Sequence, residues 1–166
     1  VPLLSVLWTV LSQGLVALDL DFFLALPKPV GESGGGIANA LVGTLMLVSL
    51  GLLLAAPIAI PAGMFLASDR HPRLASAVRL ATDVLAGVPS IVVGIFAYAC
   101  LVVPLRRFSG AAGAFALAVI MIPTIARTTE EVIRMVPFPL FEASIALGST
   151  RWRAMVQVVL PAAGRG

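Results

Sequence analysis

The sequence predicts an all-α, polytopic membrane helical bundle, and three observations carry that expectation. Of 166 residues, 60% are apolar and only 11% are charged, against about 25% charged in an ordinary soluble domain. The charges are segregated, with none in 1–18, 33–68, 84–105 or 108–126. Each of these windows is near or above the roughly 18–20 apolar residues that a helix needs to cross a bilayer. A soluble bundle is disfavoured by the same runs, which leave too little polar surface to meet water.

Four spans follow in order. The first covers about 1–18. Without a basic leading region or an initiating Met it does not read as a signal peptide. Val1 reads as a cut through a helix and "LPAAGRG" as an equally abrupt end, so the expectation is an internal piece of a longer chain. "DLDFFLALPKPVGESGGG", rich in Asp, Pro and Gly, reads as an extramembrane loop. The second span covers 38–67 and holds Pro57 and Pro61, one turn apart, which should kink or break it. "SDRHPR" follows as a charged loop. The third covers 84–104 and contains Gly87, Pro89, Ser90 and Gly94. Two readings fit them: a broken span whose freed backbone groups line a pathway, or a proline kink with glycines allowing close helix packing. "RRFSGAAG" is a short turn. The fourth covers 111–135, contains Pro123 and runs into "RTTEEVIRMVP".

Basic residues set the orientation. If the loop after the second span is cytoplasmic, that side holds Arg70, Arg73, Arg79, Arg127, Arg134, Arg151, Arg153 and Arg165, against Lys28, Arg106 and Arg107 on the other. The net charge of +3 is therefore a topology signal and does not point to nucleic acid. Cys100 lies inside a span, where packing is its ordinary role, and His71 sits in a polar loop without a partner pattern. No metal-ligand cluster and no phosphate-cradling G-x-x-x-x-G-K-[ST] is present, and one histidine supports no Ser-His-Asp set. No catalytic residue is expected.

Arg127, Glu130, Glu131 and Arg134 are spaced i, i+3, i+4, i+7, along one side of a helix. Charges within or at the edge of a span tend to face a bundle interior or watery cavity. A guanidinium stays protonated and offers forked donors to an oxyanion. The two glutamates can hold the arginines in place, and they also repel an anion. The other reading is an intrahelical ladder at the cytoplasmic end, its arginines reaching lipid headgroups. Thr128 and Thr129 offer hydroxyls that can equally bond back to the helix.

The stretch "EASIALGSTRWRAMVQVVLP" reads as helix, hinge, helix. Glu142 opens a run of helix formers, Gly148 can end it in a left-handed conformation, and Ser149 or Thr150 can cap the next helix. Trp152, Met155, Val156, Val159 and Leu160 then share one face, and Pro161 punctuates the end. An apolar stripe of this kind packs on its own membrane domain, the lipid interface or another protein.

At these residues the sequence resembles the cytoplasmic loop of ABC importer permeases: E-A-A, three residues, G, nine residues, I, one residue, L-P. Glu142, Ala143 and Ser144 begin it, Gly148 stands at its offset, and Val158, Leu160 and Pro161 close it. Ser144 and Val158 are mild departures. "GGGIANALVGT", "VPSIVVGIFAY" and "IARTTEEVIRMVP" further resemble the phosphate-importer permease of the PstA type, across residues 27–161. The resemblance implies a type I importer permease (MetI-like) fold, truncated here: a partial transmembrane domain followed by a coupling loop over 137–161, with two spans expected beyond Gly166 and a trimmed start. It implies a multi-pass subunit of the bacterial inner membrane that passes inorganic phosphate. Its partners would be a PstC-type permease, two PstB-type ATPases that bind the ATP and Mg, and a PstS-type receptor, with no cofactor on this chain. In that setting Glu142, Ala143 and Gly148 are the ATPase-coupling candidates, and Arg127, Glu130, Glu131 and Arg134 the pathway candidates. The loop alone does not separate phosphate from molybdate, sulfate or an amino acid. A scaffold or sensor that binds an ATPase without transport is the reading from a different class.

Overall fold

The computed structural model describes residues 2–15, 18–29, 31–32, 34–68 and 71–164, all helical or in short connections. Val1 and the basic residues Arg70 and Arg165 lie outside the described residues. The chain divides into two compact units, residues 1–46 and 47–166.

In the first unit, α1 (Pro2–Gly14) has 13 residues and no buried side chain. At 1.5 Å per residue it is about 20 Å long, short of the roughly 30 Å hydrocarbon core. The described helix is therefore shorter than the span expected over 1–18. Asp19 caps α2 (Leu20–Leu24), its carboxylate accepting from the Phe22 N–H at 2.8 Å. Residues 34–37 then fold back across the end of α2. Gly36 donates to the Leu26 carbonyl (3.2 Å) and Ile37 to that of Phe22 (2.9 Å). Only glycine fits at position 36, because a β-carbon there would lie 2.3 Å from the Phe22 carbonyl oxygen.

α3 (Ala38–Ala67) runs through Pro57 and Pro61 as one helix of 30 residues, without the break that two prolines suggest. In the second unit it packs against α7 (Gly110–Met135) along a seam of small residues. Gly51, Ala55, Ala59 and Gly63 are buried on α3, and Ala114, Ala118 and Ala126 on α7. Small side chains let helix backbones approach closely, which is how helices associate where lipid removes any hydrophobic drive between them. A β-carbon on Gly51 would touch Leu117 at 3.2 Å.

α4 (Pro72–Gly87) and α5 (Ser90–Ala97) meet at Val88–Pro89. Proline has no N–H to continue a helix and pushes the preceding residue out of the α region, and Val88 is extended (φ −72°, ψ 125°). The helices on either side, Pro72–Gly87 and Ser90–Leu105, are bent by 93°. The single span expected over 84–104 is thus two helix directions, its first residues belonging to α4. Gly87 and Gly94 face open space within 4 Å, so among the described residues the break, and not close glycine packing, is what these positions produce. α5 continues through a π-helical segment (Tyr98–Val102) into α6 (Val103–Leu105). Cys100, expected to pack inside a span, is exposed there.

α8 (Phe138–Ala146) follows α7 after Val136 and Pro137 alone. A last continuous helical stretch comprises α9 (Arg151–Ala154), a π-helical segment (Met155–Val159) and α10 (Leu160–Ala163). Met64, Ile133, Val159 and Ala163 form a core where the ends of α3 and α7 meet this stretch. The expected apolar stripe packs there through Met155, Val156, Val159 and Leu160, while Trp152 stays 63% exposed. Pro161 does not end the helix: the helical stretch runs through it to Ala163, directly after the π-helical segment Met155–Val159.

Among the described residues, α3 and α7 are each long and apolar enough to cross a membrane, with mean hydropathy 2.3 and 1.6 over their best windows. The bent pair makes a third if it is one broken span.

Candidate functional site

The charges of α7 meet those of α4 in one cluster. Glu130, at 5% exposure, is the most buried ionisable group of the described chain. Burying a carboxylate demands compensating charge and hydrogen bonds, and three arginines supply them. Arg79 of α4 donates to Glu130 Oε1, Arg134 donates through Nε to the same oxygen at 3.2 Å, and Arg127 Nη1 lies 3.5 Å from Oε2. Arg127 also donates through Nη2 to Asp83 of α4. Arg134 Nη2 donates to the Leu66 carbonyl at 3.1 Å, in the last turn of α3. Thr82, buried between Arg79 and Asp83 in sequence, donates to the Arg79 carbonyl (2.8 Å).

Glu130 thus ties α4 to α7, and Arg134 joins α3 to them through the Leu66 carbonyl. Among the described residues, three guanidiniums meet two carboxylates, Glu130 and Asp83. Of the four residues expected in the pathway, Arg127, Glu130 and Arg134 come together. Glu131 is exposed and makes no ion pair with the cluster among the described residues. The intrahelical ladder is present from Arg127 to Arg134, but it is only half of the arrangement. Arg79 and Asp83, which complete it, were not singled out by the sequence. Their signal was an i, i+4 pair of opposite charges just before an apolar run. The uncharged window that begins at 84 leaves 79–83 outside the third span and hides it.

The coupling candidates lie together on and after α8. Glu142 and Ala143 are exposed, while Ser144 is buried and donates to the Phe141 carbonyl at 2.7 Å. Glu142 stands in the middle of α8, since the helix begins at Phe138. Gly148 has φ +87°. It donates to the Ile145 carbonyl (2.9 Å), and Ser149 donates to that of Ser144 (3.1 Å). This pair of bonds is a Schellman closure, which needs a left-handed residue at that place. Thr150 caps the next helix, accepting from the Arg153 N–H at 3.4 Å. The loop is therefore fixed at both helix ends, with Glu142, Ala143 and Leu147 turned outward, Leu147 at 88% exposure. Among the described residues, no three His, Cys, Asp or Glu side chains group as a metal site.

Residues 59–165 match the family of binding-protein-dependent transport system inner membrane components, and the chain belongs to that family. Within it, the resemblance to PstA-type permeases holds. The chain is 40% identical over 162 residues to the phosphate transport system permease protein PstA of Pasteurella multocida, covering 97% of this chain and 58% of the relative. It is 39% identical to PstA of Haemophilus influenzae (97% and 57% covered) and 34% identical to PstA 1 of Mycobacterium tuberculosis strain H37Rv (100% and 55% covered). The chain thus spans less than three fifths of these relatives. Among solved structures, a chain of the MetNI methionine ABC transporter in inward-facing conformations superposes with a TM-score of 0.63 at 22% identity. That match covers 77% of this chain and 61% of the other, and it establishes a likeness of fold.

Proposed function

We propose that this chain is the membrane permease subunit of an ATP-driven importer of inorganic phosphate in a bacterial inner membrane. The observation that supports the solute is its 34–40% identity to proteins named as phosphate transport permeases. The cluster at Arg127 is the matching chemistry, with guanidinium donors gathered at the edge of an apolar helix. A homologous PstC-type permease completes the pathway, a PstB-type ATPase pair hydrolyses ATP, and a PstS-type receptor delivers the anion. Arg127, Glu130, Glu131 and Arg134 belong to that pathway, with Arg127 as the anion contact. Residues 137–161 form the cytoplasmic coupling loop, and α8, with Glu142 and Ala143 outward and Gly148 fixing its end, docks on the ATPase. A short helix held by a rigid turn transmits movement of one domain to another, so access alternates between the two sides.

The test is labelled-phosphate uptake in phosphate-starved bacteria lacking their own importer. The gene is expressed with its partner subunits, with or without Glu142→Lys, and compared with the partners alone. Uptake restored by the wild type and lost in Glu142→Lys, with every subunit in the membrane, is the expected result. An assembled complex that transports molybdate, sulfate or an amino acid in place of phosphate overturns the solute. Hydrolysis of ATP without any uptake overturns transport in favour of a scaffold or sensor.

A further inference from the structure

Arg127 is shared between two carboxylates that are held very differently. Glu130 is buried and bound by three guanidiniums. Asp83 has a side chain 56% exposed, and among the described residues its ion pair is with Arg127. An exposed carboxylate loses little when it lets go where water can replace the lost hydrogen bonds. A carboxylate stripped of water cannot let go without leaving an unpaired buried charge. Of the two, Asp83 is the one that can yield.

An oxyanion that binds Arg127 needs guanidinium N–H groups at the outer face of the cluster. Asp83 now occupies one of these, Nη2. A carboxylate and a phosphate oxygen accept from a guanidinium in the same forked manner, so Asp83 and the incoming anion compete for one donor. We propose that Asp83 is a displaceable internal counter-ion of the anion site: it occupies Arg127 when the site is empty, gives way to phosphate, and retakes Arg127 to expel it. Arg79, 39% exposed and anchored on Glu130 from the same helix as Asp83, stands as the second cation beside the vacated place. This inference rests on the proposed phosphate reading. It explains why a site for an anion carries an aspartate at its mouth: without one, the guanidiniums of Arg127 and Arg79 would hold phosphate too firmly for turnover, and a pathway site must release what it binds.

The experiment uses the complete transporter, permease pair and ATPase together, in lipid nanodiscs and in proteoliposomes. Binding of radiolabelled inorganic phosphate is measured without receptor or nucleotide, and receptor-driven import is measured separately. A binding-competent state populated one tenth of the time weakens apparent affinity about tenfold. If Asp83 holds Arg127 for most of the time, Asp83→Asn should tighten phosphate binding by about that factor and lower the maximal import rate. Asp83→Glu, which keeps the charge, should return both values toward wild type. Arg127→Gln should remove phosphate binding whether Asp83 or Asn stands at 83. An aspartate that merely clamps α4 to α7 gives the opposite sign, since loosening the site weakens binding. Unchanged or weaker binding in an assembled Asp83→Asn complex, with wild-type import intact, overturns the inference and leaves the phosphate reading standing. Absence of import by the assembled wild-type complex overturns that reading, and this inference with it.

Discussion

Gly63 and Ala126 bring α3 and α7 so close that a β-carbon on Gly63 would lie 2.5 Å from the Ala126 carbonyl oxygen. It would also lie 2.6 Å from Thr129 Cβ. The contact is one residue away from Arg127 and one turn from Glu130, so the seam of small residues also sets the distance at which the charge cluster is built.

Gly63→Ala should therefore be destabilising although alanine is the better helix former. Overpacking a close contact against backbone costs about 1–3 kcal/mol. The thermal midpoint of the purified complex measures it. Gly94→Ala is the matched comparison, because nothing lies within 4 Å of a β-carbon there. It should be neutral or stabilising by about 0.5–1 kcal/mol. A loss at Gly94 as large as at Gly63 would mean that another helix covers α5.

Arg127→Gln should abolish phosphate uptake while the complex still assembles. The side chain is about one third exposed, and its loss leaves Glu130 with Arg79 and Arg134. Uptake and co-purification of the ATPase, measured on the same membranes, check both halves. Normal uptake by the variant would remove Arg127 from the pathway.

Glu130→Gln should do more damage than Arg127→Gln to the fold itself. Three guanidiniums from two helices would lose their shared countercharge, and breaking a buried ion pair from one side costs about 3–5 kcal/mol. The expected result is poor membrane accumulation of the subunit, seen by immunoblot, with little improvement in Glu130→Asp because the shorter side chain cannot reach all three partners.

The turn after α8 offers a test that leaves the cluster alone. Gly148→Val places a β-branched residue at φ +87°, a left-handed conformation that costs about 1–2 kcal/mol for a residue with a β-carbon. Thr150→Ala removes only the cap, about 1 kcal/mol. Both should lower the stability of the loop, and Gly148→Val should also lower ATPase co-purification, because it redirects the chain leaving α8. Equal recovery of the ATPase with both variants would remove the turn geometry from docking.

What could be read in advance depended on how local the cause was. Absence of charge is a local property, and the uncharged windows 33–68 and 108–126 contain most of α3 and α7. Gly148 was legible because the left-handed turn is fixed by its own backbone. The seam Gly51, Ala55, Ala59 and Gly63 was not, because small residues at four-residue intervals carry no weight in a chain so rich in Ala and Gly until a partner helix is known. Asp83 was missed for the same reason: its meaning lies in Arg127, 44 positions away. An apolar count groups 84–87 with the residues after Pro89, whereas they are the last turn of α4, because such a count does not register the turn that Pro89 imposes.

Only Val136 and Pro137 stand between the last residue of α7 and the first of α8. Both are extended, with ψ near 130°, and the ring of Pro137 fixes its φ at −58°. Such a joint has almost no slack. A long flexible tether would absorb a pull on α8 as chain entropy, whereas a joint this short would pass it on as displacement. If α8 docks on the ATPase as proposed, the charged end of α7 is the short arm of a lever whose handle is α8. Inserting two or three glycines after Val136 would leave every contact of the cluster available and still let the handle turn without moving the load.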